Sequence, residues 1–131
     1  KNKVIFSPTE KYADKRFDSS EAMILIETLK KVMNEESLYK NPNLKSSDVA
    51  LKIQLTTHQF SQLLNDNLGK NFASFINEYR IEEAKKRLLS NSNFTLEAIA
   101  YDCGFNSKST FYTAFKKIEG VTPTQFKSSN L

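Results

Sequence analysis

The side chains best suited to chemistry in this 131-residue chain lie in two polar runs about fifty residues apart. The first run holds Thr57, His58, Gln59, Ser61 and Gln62. The second holds Asn106, Ser107, Lys108 and Ser109, followed by Tyr112 and Thr113. Outward helix faces are usually rich in Glu and Lys, whereas these are mostly short donors and acceptors. Gln pairs with adenine N6/N7 and a Thr methyl can touch a thymine methyl, so the chemistry they suit is recognition of base edges. For bond-breaking the chain offers little. It has one His and one Cys, no catalytic triad, no paired carboxylates in a recognisable frame and no phosphate-cradling glycine loop. Neither an enzymatic activity nor a cofactor is expected. His58 has no second His with which to share a metal. Cys103, within "AYDCGF", is expected to be a small buried hydrophobe rather than a reactive thiol. A single Cys also excludes an internal disulfide and a multi-cysteine metal site.

The elements that must position these runs are helices. Only three Gly and three Pro occur, and sustained period-2 alternation is absent. Gly69, Gly104 and Gly120 each follow a helix-period segment, where a left-handed residue is expected. Residues 1–19 are expected to be a leader or linker from a longer protein. Residues 20–44 form a lead-in helix and loop. Ser19 or Ser20 caps that helix, which runs to about Glu36 with Ala22, Leu25, Ile26, Leu29, Val32 and Met33 on one face. "SLYKNPNLKSS" breaks it, and its broad apolar face favours packing against the unit that follows.

Next comes "DVALKIQ", with Ser46 or Ser47 as cap. Thr56 caps "THQFSQLLNDNLG", which turns Phe60, Leu63 and Leu64 inward. From Asn71 runs the long "FASFINEYRIEEAKKRLL", with Phe75, Ile76, Tyr79 and Ala84 inward. Glu82 with Lys86, and Glu83 with Arg87, stand in the favourable i to i+4 order. Its eighteen residues span about 27 Å at 1.5 Å per residue. After the loop "SNSNF", Thr95 caps "LEAIAYDC" and Ser107 caps "KSTFYTAFKKIEG". Thr122 caps a final short helix with Pro123 at its first position.

Residues 49 to 75 superpose on 99 to 126 by role. Val49-Ala50 matches Ile99-Ala100, Ile53 matches Cys103, and Leu55 matches Phe105. With Asn106 as one inserted residue, Thr56 falls on Ser107, Phe60 on Phe111, Leu64 on Phe115, Gly69 on Gly120 and Phe75 on Phe126. Apolar positions, caps and glycines coincide, so the chain holds two copies of one unit. Each copy is two short helices joined by a tight turn and followed by a stabilising helix. That is the organisation of a helix-turn-helix, whose second helix lies in the DNA major groove. The fold expected is all-α, with two helix-turn-helix subdomains joined by a long central helix. A single copy could equally be an ordinary helical hairpin; the repetition, with outward second helices that are uncharged or basic, favours DNA.

Charge permits this. The net charge is +4; residues 1–44 hold 8 Lys/Arg against 7 Asp/Glu, and residues 45–131 hold 11 against 8. Phosphate neutralisation by such residues supplies most non-specific DNA binding. No run approaches the roughly 20 apolar residues of a membrane span, so no membrane contact by this segment is expected.

From about Ser46 to Lys127 the chain resembles the DNA-binding domain of the AraC/XylS family of transcription regulators. The residues that carry the likeness are "NFASFINEYRIEEAKKRL", "AIAYDCGFNSKSTFYTAFKKIEG" and "GVTPTQFK". The last two follow the family pattern of A, GF, S and F, FKK, then G-x-TP and an aromatic. The resemblance makes residues 45–131 the DNA-binding domain: a first helix-turn-helix over 45–67, a linker helix over 72–89, a second helix-turn-helix over 95–118 and a final helix over 122–128. It implies a homeodomain-like fold that sets two recognition helices into successive major-groove segments of double-stranded promoter DNA. Base reading would fall to His58, Ser61 and Gln62 in the first helix and to Lys108, Ser109, Tyr112 and Thr113 in the second. Lys108 could reach guanine O6/N7 or a phosphate. Phosphate anchoring would fall to the capped N-termini at Thr56 and Ser107 and to Lys70, Arg80, Lys116, Lys117 and Lys127.

The resemblance further implies RNA polymerase as a partner and a cytoplasmic setting. The segment before Ser46 is similar to lead-ins of membrane-associated or hybrid two-component regulators, implying an upstream sensor or receiver domain. One departure stands out: Asn65-Asp66 occupies the place of Lys116-Lys117. The second unit is therefore expected to dominate affinity and the first to add specificity. The competing class is a helical protein-interaction module that has lost specific DNA binding.

Overall fold

The computed structural model describes residues 16–90 and 93–130; the expectations for residues 1–15 and for Asn91 and Ser92 lie outside them. Among the described residues there are seven α-helices and no strand, as the all-α expectation requires. They are α1 (Ser19–Glu36), α2 (Ser46–Lys52), α3 (Thr57–Leu68), α4 (Phe72–Leu89), α5 (Leu96–Asp102), α6 (Lys108–Glu119) and α7 (Pro123–Ser129), with a 3-10 turn at Leu38–Lys40. The chain divides into two compact units. Of the described residues, the first takes those up to Leu38 together with Leu44–Phe72; the second takes Tyr39–Asn43 and those from Ala73 onward.

In the first unit, neither Ser19 nor Ser20 caps α1. Asp18 does: its carboxylate accepts the Glu21 N–H at 2.8 Å, and the Glu21 carboxylate accepts the Asp18 N–H at 2.9 Å. A carboxylate there satisfies an orphan donor and also meets the positive end of the helix dipole. Ala22, Leu25, Ile26, Leu29 and Met33 are buried, while Val32 is half-buried at the edge of the stripe. The helix closes at Ser37 with φ 49°. Its membership of the first unit agrees with the packing its broad apolar face suggests. The Glu36 carboxylate also meets Lys52 of α2 at 2.7 Å.

Helix α2 likewise starts earlier than expected, because Ser46 and Ser47 lie inside it. Lys45 holds the N-cap position, and its side chain has no lone pair to offer. The Asp48 carboxylate instead reaches back to the Lys45 N–H at 2.9 Å. Helix α3 is held by its buried Phe60, Leu63 and Leu64, each such side chain contributing about 1.5–3 kcal/mol.

The second unit is built on Ile81, Ala84, Leu88, Ile99, Ala100, Cys103, Phe105, Phe111, Ala114 and Phe115, with Leu96, Tyr112 and Phe126 packed against them. Phe111 meets Phe105 at 5.4 Å and Phe115 at 5.8 Å between ring centres, and Phe115 meets Phe126 at 5.5 Å. The pair Glu83–Arg87 forms at 3.0 Å. Glu82, however, meets Lys85 at 3.4 Å rather than Lys86, because Lys85 turns to a place between Glu82 and Glu119. Thr122 caps α7 with Pro123 at N1, where the missing N–H costs nothing.

The repeat holds at the level of the backbone. Helices α2 and α5 each have 7 residues, and α3 and α6 each have 12. The Leu55 N–H donates to Ala50 O at 2.9 Å, and the Phe105 N–H to Ala100 O at 3.0 Å. A left-handed residue precedes each, Gln54 with φ 61° and Gly104 with φ 108°. The helices after the two glycines begin in the same register, at Phe72 after Gly69 and at Pro123 after Gly120, so Phe75 keeps the place of Phe126. In the first unit Phe60 also meets Phe72, at 6.0 Å between ring centres.

Candidate nucleic-acid interface

The first recognition helix is fixed at its start by a reciprocal cap. Thr56 Oγ1 accepts the Gln59 N–H at 3.1 Å, and Gln59 Oε1 accepts the Thr56 N–H at 2.9 Å. That interaction removes Gln59 from the outward set, since its side chain is buried in the cap. His58 and Ser61 are exposed, and Gln62 is half-buried beside them. Asn65 continues the same stripe at i+7 from His58 and is exposed. The i, i+3, i+4, i+7 spacing could have revealed it from sequence. Asp66 is engaged by Arg16, so this helix ends with a carboxylate. Lys70 is half-buried after the helix.

The second recognition helix starts at Ser107, whose Oγ accepts the Thr110 N–H at 3.0 Å. Lys108, Ser109 and Tyr112 line an open hollow of about 420 Å³. The Lys108 ammonium lies 5.6 Å from the centre of the Tyr112 ring, a cation–π placement that keeps a cation at the mouth of this hollow. Tyr112 is half-buried. Its ring stands edge-on to Phe111 at 5.9 Å, and its hydroxyl lies 3.5 Å from Thr124 Oγ1. The side chain is thus held in place before any ligand arrives. Ser109, Thr113, Lys116 and Lys117 are exposed. Lys116 and Lys117 also lie in the last turn, where the helix dipole favours them. Lys127 sits half-buried on α7.

By the register of the caps, His58 stands where Ser109 stands, Ser61 where Tyr112 stands, Gln62 where Thr113 stands and Asn65 where Lys116 stands. The structure therefore places the sequence-selected base-reading residues on one stripe of each second helix. Lys108 lies at the first turn of its own.

Arg80 departs from the phosphate role expected of it. Its Nε donates to Tyr39 O at 2.7 Å and its Nη2 to Asn41 O at 2.9 Å. Its guanidinium also lies 5.7 Å from the centre of the Phe105 ring. Burial lowers its pKa from the ordinary guanidinium value. These contacts occupy Arg80 within its own unit. Cys103 is buried, as expected, and burial pushes its thiol up to about 11. Among the described residues no group of His, Cys, Asp and Glu could hold a metal ion.

Residues 49–129 match the family described as "Helix-turn-helix domain". The chain belongs to the AraC-type helix-turn-helix family. The chain is 28% identical over 99 residues to the regulatory protein PocR of Salmonella typhimurium, an overlap of 76% of this chain and 32% of PocR. It also resembles the C-terminal domain of the two-component response regulator yesN from Fusobacterium nucleatum. That match has 27% identity and a TM-score of 0.67 and covers 78% of this chain and 96% of that one. An AraC-type regulator structure from Chromobacterium violaceum shares the fold at 19% identity. There the TM-score is 0.73, covering 86% of this chain and 96% of that one. The chain spans 15–38% of the length of the curated relatives it matches. This AraC-type domain is a DNA-binding domain of a transcription regulator. No helix among its described residues is long and apolar enough to cross a membrane.

Proposed function

We propose that this AraC-type domain reads two short DNA elements, one with each recognition helix, as the output module of a larger cytoplasmic regulator. The observation that carries the reading is the pair of equivalent polar stripes. His58, Ser61, Gln62 and Asn65 on one capped helix have the register of Ser109, Tyr112, Thr113 and Lys116 on the other. Side chains of this kind read base edges, and the capped amides at Thr56 and Ser107 anchor phosphates. Lys70, Lys116, Lys117 and Lys127 add phosphate contacts, whereas Arg80 is committed elsewhere. The second unit supplies most of the affinity, because its stripe ends in Lys116 and Lys117 where the first ends in Asn65 and Asp66. An upstream receiver or sensor domain and RNA polymerase are the partners in the full-length regulator. The response-regulator origin of the Fusobacterium relative supports the former. No enzymatic step belongs to this reading.

Selection from a random duplex pool at moderate salt, followed by sequencing, tests it. Two enriched elements about one helical turn (roughly 10 bp) apart are expected. Retention without enrichment, abolished by modest salt, would leave only phosphate contact and favour the protein-interaction reading.

A further inference from the structure

The contacts of Arg80 have a geometry that reaches the recognition surface. Its two donors grip main-chain carbonyls of Tyr39 and Asn41, in the segment that follows α1 in the chain. The Tyr39 ring stacks on Tyr79, the neighbour of Arg80 on α4, at 5.9 Å between centres. The gripped segment lies directly on the turn of the second helix-turn-helix. A Cβ on Gly104 would come within 2.1 Å of Tyr39 O and 2.8 Å of Arg80 Nε. Phe105, beneath the guanidinium, donates its N–H to Ala100 O and packs on Phe111 of the recognition helix. Two residues later Ser107 caps that helix. In the first unit the equivalent turn position is filled by the exposed side chain of Gln54.

We propose that Arg80 is a positioning residue for DNA reading: it clamps residues 39–41 onto the Gly104–Phe105 turn and so sets the start of the second recognition helix. A planar guanidinium can bridge two carbonyls while stacking on a ring; a lysine ammonium cannot reproduce that fork. A displacement of residues 39–41 is thereby felt at Ser107 and Lys108. The proposal rests on the DNA-reading function for its consequence but not for its geometry.

Arg80→Lys, which keeps the charge, separates the possibilities through two measurements. In the free chain, amide hydrogen exchange at Phe105, Thr110 and Phe111 is expected to lose about tenfold in protection, while Ala84 and Leu88 on α4 keep theirs. On duplexes enriched by the wild-type chain, discrimination between an intact and a scrambled second element is expected to fall about tenfold, comparable to one misread base pair, with the salt dependence unchanged. With Arg80→Gln, which removes the charge, equal weakening on every duplex and a salt slope reduced by about 0.9 would make Arg80 a phosphate contact and overturn the proposal. Protection lost evenly along α4, or unchanged at all five amides, would also overturn it. If no duplex is enriched, the DNA reading fails by itself, and the exchange pattern alone decides whether Arg80 positions the turn.

Discussion

Gly104→Ala is the substitution whose cost follows most directly from the geometry. At φ 108° any side chain is strained, and a left-handed non-glycine residue costs about 1–2 kcal/mol. The added methyl would also lie 2.1 Å from Tyr39 O, far inside van der Waals contact with main chain that Arg80 holds. Forcing an extra carbon into a packed site costs a further ~1–3 kcal/mol. The expected loss is therefore about 2–5 kcal/mol. Gly120 supplies the control within the same unit. It too has positive φ, 82°, but a methyl added there would meet nothing within 4 Å, so Gly120→Ala should cost only about 1–2 kcal/mol of backbone strain. Urea unfolding followed by circular dichroism would compare the two on the same transition. The gap expected between them is ~1–3 kcal/mol, and each kcal/mol is worth roughly 4 °C in Tm for a chain of 131 residues. Equal losses for the two variants would refute the seating of residues 39–41 on the turn.

Three further outcomes are expected. Cys103 ionises in the unfolded chain at the ordinary value of 9.0 and in the folded chain at about 11. The contribution of its burial is thus fully present below pH 9 and declines as pH rises through 11. Cys103→Ala should remove that part of the alkaline loss, seen as a smaller change in urea midpoint between about pH 8 and about pH 10.5. Tyr112→Ala should reduce discrimination at the second element by about 1–3 kcal/mol, whereas Lys116→Ala should weaken all duplexes alike and flatten the salt dependence by about 0.9. Competition binding across a salt series separates the two patterns.

Much of this fold is legible in the sequence, for particular reasons. Thr56, Thr95, Ser107 and Thr122 are short oxygen-bearing residues just ahead of apolar periodicity, and each caps the helix expected of it. The caps of α1 and α2 differ from expectation because several polar residues stand together there. Choosing among Asp18, Ser19 and Ser20 requires knowing that Glu21 closes a reciprocal box, and at Lys45 only the Asp48 half of a box exists. The outward stripes follow from spacing, Asn65 at i+7 from His58 included. Gln59 does not, since an N3 glutamine can face solvent or fold back on its cap, and local periodicity does not distinguish the two. Arg80 is the hardest residue to assign. On a long amphipathic helix it resembles any solvent-facing base, and its true partners, Tyr39 and Asn41, lie 41 and 39 residues away.

The chain's one sulfhydryl, enclosed at Cys103 among the rings of the second unit, makes the molecule a ready scaffold for site-directed probes. A cysteine introduced at an exposed position of a recognition helix, Thr113 in one unit or Ser61 in the other, would be the accessible thiol in the native protein. A maleimide dye or a DNA-cleaving chelate would then attach there without prior removal of the native residue. Cleavage patterns from the two attachment points would map each recognition helix onto its own stretch of duplex, base by base.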